Sequence, residues 1–135
     1  MGVRRYRDLE VWQLARELER RVCAFIAELH VKHDFDFCDQ IRRSSRSASR
    51  NIAEGFGRFY PGDFARMLRI ALGSLNETSD HLDAGLESQY LSTELHAELM
   101  QLTNRATGAA VNLVKYLDGC ERRKPPRKKP RRREP

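Results

Sequence analysis

Residues 37–58 read FCDQIRRSSRSASRNIAEGFGR, and the way this stretch sorts its side chains decides the fold. At ~100° per residue, Phe37, Cys38, Ile41, Ser45, Ala48, Ile52 and Phe56 gather between about 220° and 320° around a helix. Arg42, Arg43, Arg46 and Arg50 fall between about 0° and 100°, and Gln40, Ser47, Asn51 and Glu54 between about 120° and 180°. A helix resting on a core needs only an apolar face and a mixed polar one. Here the polar residues are themselves sorted, which asks for further partners. The arginine ridge suits phosphates, which planar guanidinium groups bind bidentately. The Gln40, Ser47, Asn51 and Glu54 stripe suits a hydrogen-bonding seam buried between subunits, where such groups must satisfy one another. The plainer alternative for the ridge is a solvated face tied by i,i+4 pairs such as Arg50 with Glu54, worth only about 0.3–0.5 kcal/mol.

Working outward, three more amphipathic segments flank this helix of about residues 37–53. The first runs from Asp8, as N-cap, to about Leu29, with Val11, Ala15, Leu18, Val22, Phe25 and Leu29 in three- and four-residue steps. The third opens near Pro61, suited to a first-turn position, and carries Phe64, Leu68, Ala71, Leu75, Thr78 and Leu82 on one face. Beside that face lie Ile70, Ser74, Glu77 and His81, and an apolar residue off the main stripe points to a second buried surface. Gly73 and Gly85 weaken this helix by roughly 1 kcal/mol each relative to Ala, which the close approach of another helix would explain. The fourth begins near Ser92 or Thr93. It carries Leu95, Leu99, Leu102, Ala106, Ala109, Leu113 and Tyr116 or Leu117, and is expected to end at Asp118–Gly119 with a left-handed glycine. Sustained alternation is lacking and the links are short, so the expectation is all-α: an antiparallel up-down-up-down four-helix bundle over residues 1–120.

The 135 residues suffice for one core. No apolar run is long enough to span a membrane, and the opening MGVRRYRDLEVWQ lacks the apolar stretch of a secretory signal. Cys23, Cys38 and Cys120 are odd in number and far apart, which argues against a disulfide framework and fits a reducing cytoplasm. Net charge is +6, but residues 121–135, ERRKPPRKKPRRREP, hold nine basic and two acidic residues, leaving 16 basic and 17 acidic elsewhere. With nothing apolar to bury, this tail is expected to be disordered, an arm for a polyanion or a solubilising extension.

The residues that shape these helices also resemble a known family. Tyr6-Arg7-Asp8-Leu9 with Val11-Trp12 opens the pattern, followed by Gln40-Ile41-Arg42-Arg43, Ser47 and Asn51-Ile52-Ala53-Glu54-Gly55 with Gly57-Arg58. Asp63-Phe64, Leu68, Ile70-Ala71, Gly73-Ser74-Leu75 and Glu77 continue it, and the likeness spans about residues 6–117. The chain resembles the bacterial four-helix-bundle proteins encoded within intervening sequences of 23S ribosomal RNA genes. The resemblance implies a small cytoplasmic protein that assembles as a homopentamer, works near RNA or other nucleic acid, and has no established catalytic activity. It is also similar in architecture to the accessory bundle proteins of diversity-generating retroelements, which work with reverse transcriptase. Tyr60 departs from the family's usual serine before the third helix, the segment from His30 to Asp39 is unusually acidic, and the basic tail lies outside the pattern.

These readings set the expectations. Nucleic acid would meet Arg42, Arg43, Arg46, Arg50 and Arg58 together with tail residues Arg122, Arg123, Lys124, Arg127, Lys128, Lys129, Arg131, Arg132 and Arg133. Gln40, Ser47, Asn51, Glu54, Ile70, Ser74 and Glu77 would lie at an oligomer interface. The alternative is a scaffold that docks a protein such as a reverse transcriptase. Neither catalytic residues nor a cofactor are expected. His30, His33, Asp34, Asp36, Cys38 and Asp39 have ligand chemistry, but they read as a loop in which an aspartate caps the second helix rather than as a metal site. Gly55-Phe56-Gly57 reads as a helix stop, Trp12 as a packing anchor, and Glu54 with Glu77 as structural hydrogen-bonding groups rather than a catalytic carboxylate pair.

Overall fold

The computed structural model describes residues 2–28 and 30–122, the last two by their backbone alone. The expectations placed on Leu29, on the Arg122 side chain and on the tail beyond it therefore lie outside the described residues. A 3-10 turn at Tyr6–Asp8 leads into four helices: α1 Glu10–Ile26, α2 Phe35–Phe56, α3 Pro61–Glu87 and α4 Thr93–Arg122. Among the described residues there is no strand. Helix α2 packs on α1 and α3, and α4 packs on α3 and α1, while the backbones of the diagonal pairs stay farther apart. Contacts across each seam run in opposite senses. Ile26 meets Cys38 and Glu19 meets Ser49 between α1 and α2, Ser44 meets Thr78 and Ser47 meets Ser74 between α2 and α3, and Arg69 meets Asp118 while Asp83 meets His96 between α3 and α4. The helices therefore alternate up and down around one core.

That core is the apolar stripe of each helix. Leu18 and Val22 of α1, Ile41, Ala48 and Ile52 of α2, Leu68, Leu75 and Leu82 of α3, and Leu99, Ala106 and Ala110 of α4 are all fully buried. Each large aliphatic side chain contributes roughly 1.5–3 kcal/mol by leaving water. The expected face of α3 is buried along its whole length. In α4 the stripe turns. Leu99, Leu102, Ala106 and Leu117 are buried as expected, but beyond Ala106 the core takes Ala110 and Val114 rather than Ala109 and Leu113, and Tyr116 is 65% exposed. A straight helix repeats every 3.6 residues, so a 3.5-residue stripe drifts off the core over many turns.

Helix ends follow local chemistry, with three departures. Asp34 caps α2, its carboxylate accepting the Phe37 amide at 3.1 Å, so the helix starts before Phe37 and continues past Ala53 to Phe56. Ser92 does the same for α4, accepting the Leu95 amide at 3.1 Å, and Pro61 opens α3 as expected. Asp8 is not the cap of α1. It sits in the 3-10 turn, α1 begins after an uncapped Leu9, and the Gln13 side-chain amide instead donates to the Arg7 carbonyl at 2.9 Å. Helix α1 also stops at Ile26, short of Leu29, because the chain turns there to lay Val31 in the core. Gly119 does not terminate α4, which runs on to Arg122 in right-handed geometry. A glycine only weakens a helix, by roughly 1 kcal/mol relative to alanine.

Two glycines set the spacing of the bundle. A Cβ on Gly55 would lie 2.8 Å from Met67 Cβ and from the Phe64 ring, and one on Gly85 would lie 2.8 Å from Leu91 and 2.9 Å from Phe37. Gly73, by contrast, faces open space. At one end of the bundle Tyr90 ties the two loops together. Its hydroxyl donates to Asp34 at 2.6 Å, its ring packs on Phe37, and its carbonyl meets His30 at 2.8 Å.

Candidate nucleic-acid and subunit-contact surfaces

Two hydroxyl groups of α2, those of Ser44 and Ser47, turn toward α3. Ser44 Oγ lies 2.8 Å from Thr78 Oγ1, and one turn along Ser47 Oγ lies 2.8 Å from Ser74 Oγ. Asn51 closes the row by donating to the Ser47 hydroxyl at 3.0 Å and its carbonyl at 2.8 Å. Among the described residues no buried side-chain polar atom lacks a partner. Ser47, Asn51 and Ser74 therefore satisfy one another inside one protomer, where small side chains let α2 and α3 approach closely. The other expected interface residues remain outside. Gln40 bonds Asp36 at 3.0 Å, Glu54 pairs with Arg58 at 2.7 Å, Glu77 lies 3.4 Å from His81, and Ile70 is 43% exposed.

The arginine ridge divides by partner. Arg43 meets Asp39 at 3.1 Å, Arg58 meets Glu54, and Arg46 reaches Glu19 at 3.6 Å. Arg42 and Arg50 have no ion pair among the described residues. The anticipated Arg50–Glu54 pair does not form, because Glu54 chooses the arginine four residues ahead, the orientation that also suits the helix dipole. Glu19 escaped sequence reasoning altogether. It is 6% exposed, and its carboxylate holds Arg16 at 2.8 Å, the Ser49 hydroxyl at 2.8 Å, and Arg46. Its place between Ala15 and Val22, on the core side of α1, was the signal available.

The arrangement is that of a known family. A model of the 23S rRNA-intervening sequence protein family matches residues 7–110. The chain belongs to that family. A protein of unknown function from the S23 ribosomal protein family of Bacteroides thetaiotaomicron is similar in structure, with a TM-score of 0.71 at 24% identity. The alignment covers 78% of this chain and 95% of that one, and at this identity it speaks for the fold alone. No curated protein matches in sequence.

In this chain the string Asn51-Ile52-Ala53-Glu54-Gly55 has a structural reading almost residue by residue. Asn51 closes the polar row, Ile52 fills the core, Glu54 anchors Arg58, and Gly55 admits α3. Glu54 is absent from the groove that Glu77 lines with Asp80 and Asp83, so the two carboxylates do not share that recess. The His30–Asp39 segment is occupied with bonds of its own. Asp34 caps α2 and takes the Tyr90 hydroxyl, and those bonds hold its carboxyl below the usual range while raising Tyr90. The Cys38 thiol faces the Val31 carbonyl at 3.5 Å, and burial pushes its pKa up. Among the described residues no group of three or more His, Cys, Asp or Glu is placed to hold a metal, and no helix is long and apolar enough to cross a membrane. No disulfide joins the three cysteines.

Proposed function

We propose that this protein is a non-enzymatic, self-associating bundle, a homopentamer as the family resemblance implies, that binds RNA or DNA through phosphate electrostatics. The observation that carries the reading is the pairing pattern on α2. Among the described residues Arg42 and Arg50 stand without a carboxylate on the helix whose other arginines are paired, and residues 121–135 carry nine basic side chains. Several copies of a weak basic arm on one particle would bind by avidity, with little base specificity. Support for self-association comes from α3, where Ile70 is exposed in the same helix as Gly73, whose missing side chain no contact within the protomer explains. A second reading, a scaffold for a protein such as a reverse transcriptase, draws on Phe35 and Phe59, which are 83% and 85% exposed at opposite ends of α2.

The test is binding of generic RNA as a function of salt, with and without residues 121–135. If the tail neutralises roughly six phosphates, affinity should fall on the order of a thousandfold between 50 and 200 mM salt, and deletion should flatten that slope. An unchanged affinity and slope after deletion would defeat the tail's part in this reading. Light scattering should return a particle about five times the 15.7 kDa of one chain.

A further inference from the structure

On the side of the bundle where the Tyr6–Asp8 turn meets α1 and α2 lies a groove of about 610 Å³, within the size range of small-molecule sites. Its walls combine two chemistries. Tyr6 and Trp12 meet edge to face at 5.2 Å and supply aromatic surface, and Arg7, Arg16, Arg20 and Arg50 bring four cations. The acid in the wall, Glu19, is already engaged by Arg16, Arg46 and Ser49. Arg50 has no ion pair among the described residues, and Arg20 has only an exposed contact of 3.9 Å with Glu17. Both are therefore available to an incoming anion. Aromatic surface ringed by guanidinium groups matches a nucleotide unit whose base is unpaired, because a duplex hides base faces inside its stack.

We propose that this groove is a subsite for single-stranded nucleic acid, with an unpaired base against Trp12 and flanking phosphates on Arg20 and Arg50. The inference rests on the nucleic-acid reading above and adds a place, a strand type and residues outside the tail.

Trp12 is the sole tryptophan in the chain, so its fluorescence reports on this groove alone. The full-length protein is titrated with end-labelled oligo(dT) and oligo(U), and with a duplex of equal charge, while anisotropy of the label is followed in parallel. Single strands should change Trp12 emission saturably and the duplex should not. Arg50→Gln and Arg20→Gln should each shift the Trp12 titration to about three- to tenfold higher concentration. Rising anisotropy with constant Trp12 emission would overturn the groove and leave nucleic-acid binding standing. An equal Trp12 response to the duplex would overturn the strand preference, and unchanged titrations in both variants would overturn the phosphate contacts. Constant anisotropy with every oligonucleotide would overturn both readings.

Discussion

Glu19 shows how much a single side chain organises. A carboxylate this buried is tolerable only if its charge and lone pairs are met, and Arg16, Arg46 and the Ser49 hydroxyl meet them from two helices. Glu19→Ala should lower stability by about 1–3 kcal/mol in urea unfolding, because two arginines lose their carboxylate and Ser49 is left with only the Arg46 carbonyl. The Tyr90–Asp34 bond makes a second residue-scale prediction, in pH. The Tyr90 hydroxyl and the Phe37 amide depress the Asp34 pKa below its ordinary 3.8. Its contribution is therefore present above that value and disappears as pH falls through the lower folded value. The same bond raises Tyr90 above 10.0, so on the alkaline side the contribution persists below 10 and is lost as pH climbs through the raised value. Tyr90→Phe should remove the alkaline limb and reduce the acid one, leaving the part due to the Phe37 amide, read as a flatter urea midpoint against pH relative to the parent protein.

At the scale of helices, glycine has two opposite meanings here. Gly55 and Gly85 sit where α3, the loop after it and the start of α2 come too close for a methyl group. Gly55→Ala should destabilise by roughly 1–3 kcal/mol, since Met67 Cβ sits near the backbone and cannot swing aside. Gly73→Ala fills empty space, so thermal unfolding of a lone protomer should show a gain of up to about 1 kcal/mol. If α3 meets another copy at Gly73, the same substitution should instead reduce particle size in light scattering. Most helix starts were legible from chemistry that acts within one turn, as at Pro61 and Ser92. The start of α1 was not, because the chain folds back before Glu10 and satisfies itself through Gln13.

For the whole molecule, charge is divided by position. Residues 2–56 hold 11 basic and 9 acidic side chains, residues 57–120 hold 5 and 8, and the remaining surplus belongs to 121–135. Polyanion binding should therefore survive tail deletion only weakly, and what survives should depend on Arg20 and Arg50; anisotropy on the truncated chain at low salt checks this. The all-α bundle, its four segments and most of its core were determined by sequence alone, because helical periodicity is a local property that each segment carries by itself. What only the tertiary structure decided is which polar groups meet: Ser47 with Ser74, Ser44 with Thr78, Glu19 with Arg46, and Arg50 with no carboxylate among the described residues. Those pairings depend on the rotation and axial register of one helix against the next. An apolar stripe constrains rotation only to about its own width, so close packing of neighbouring helices makes the final choice.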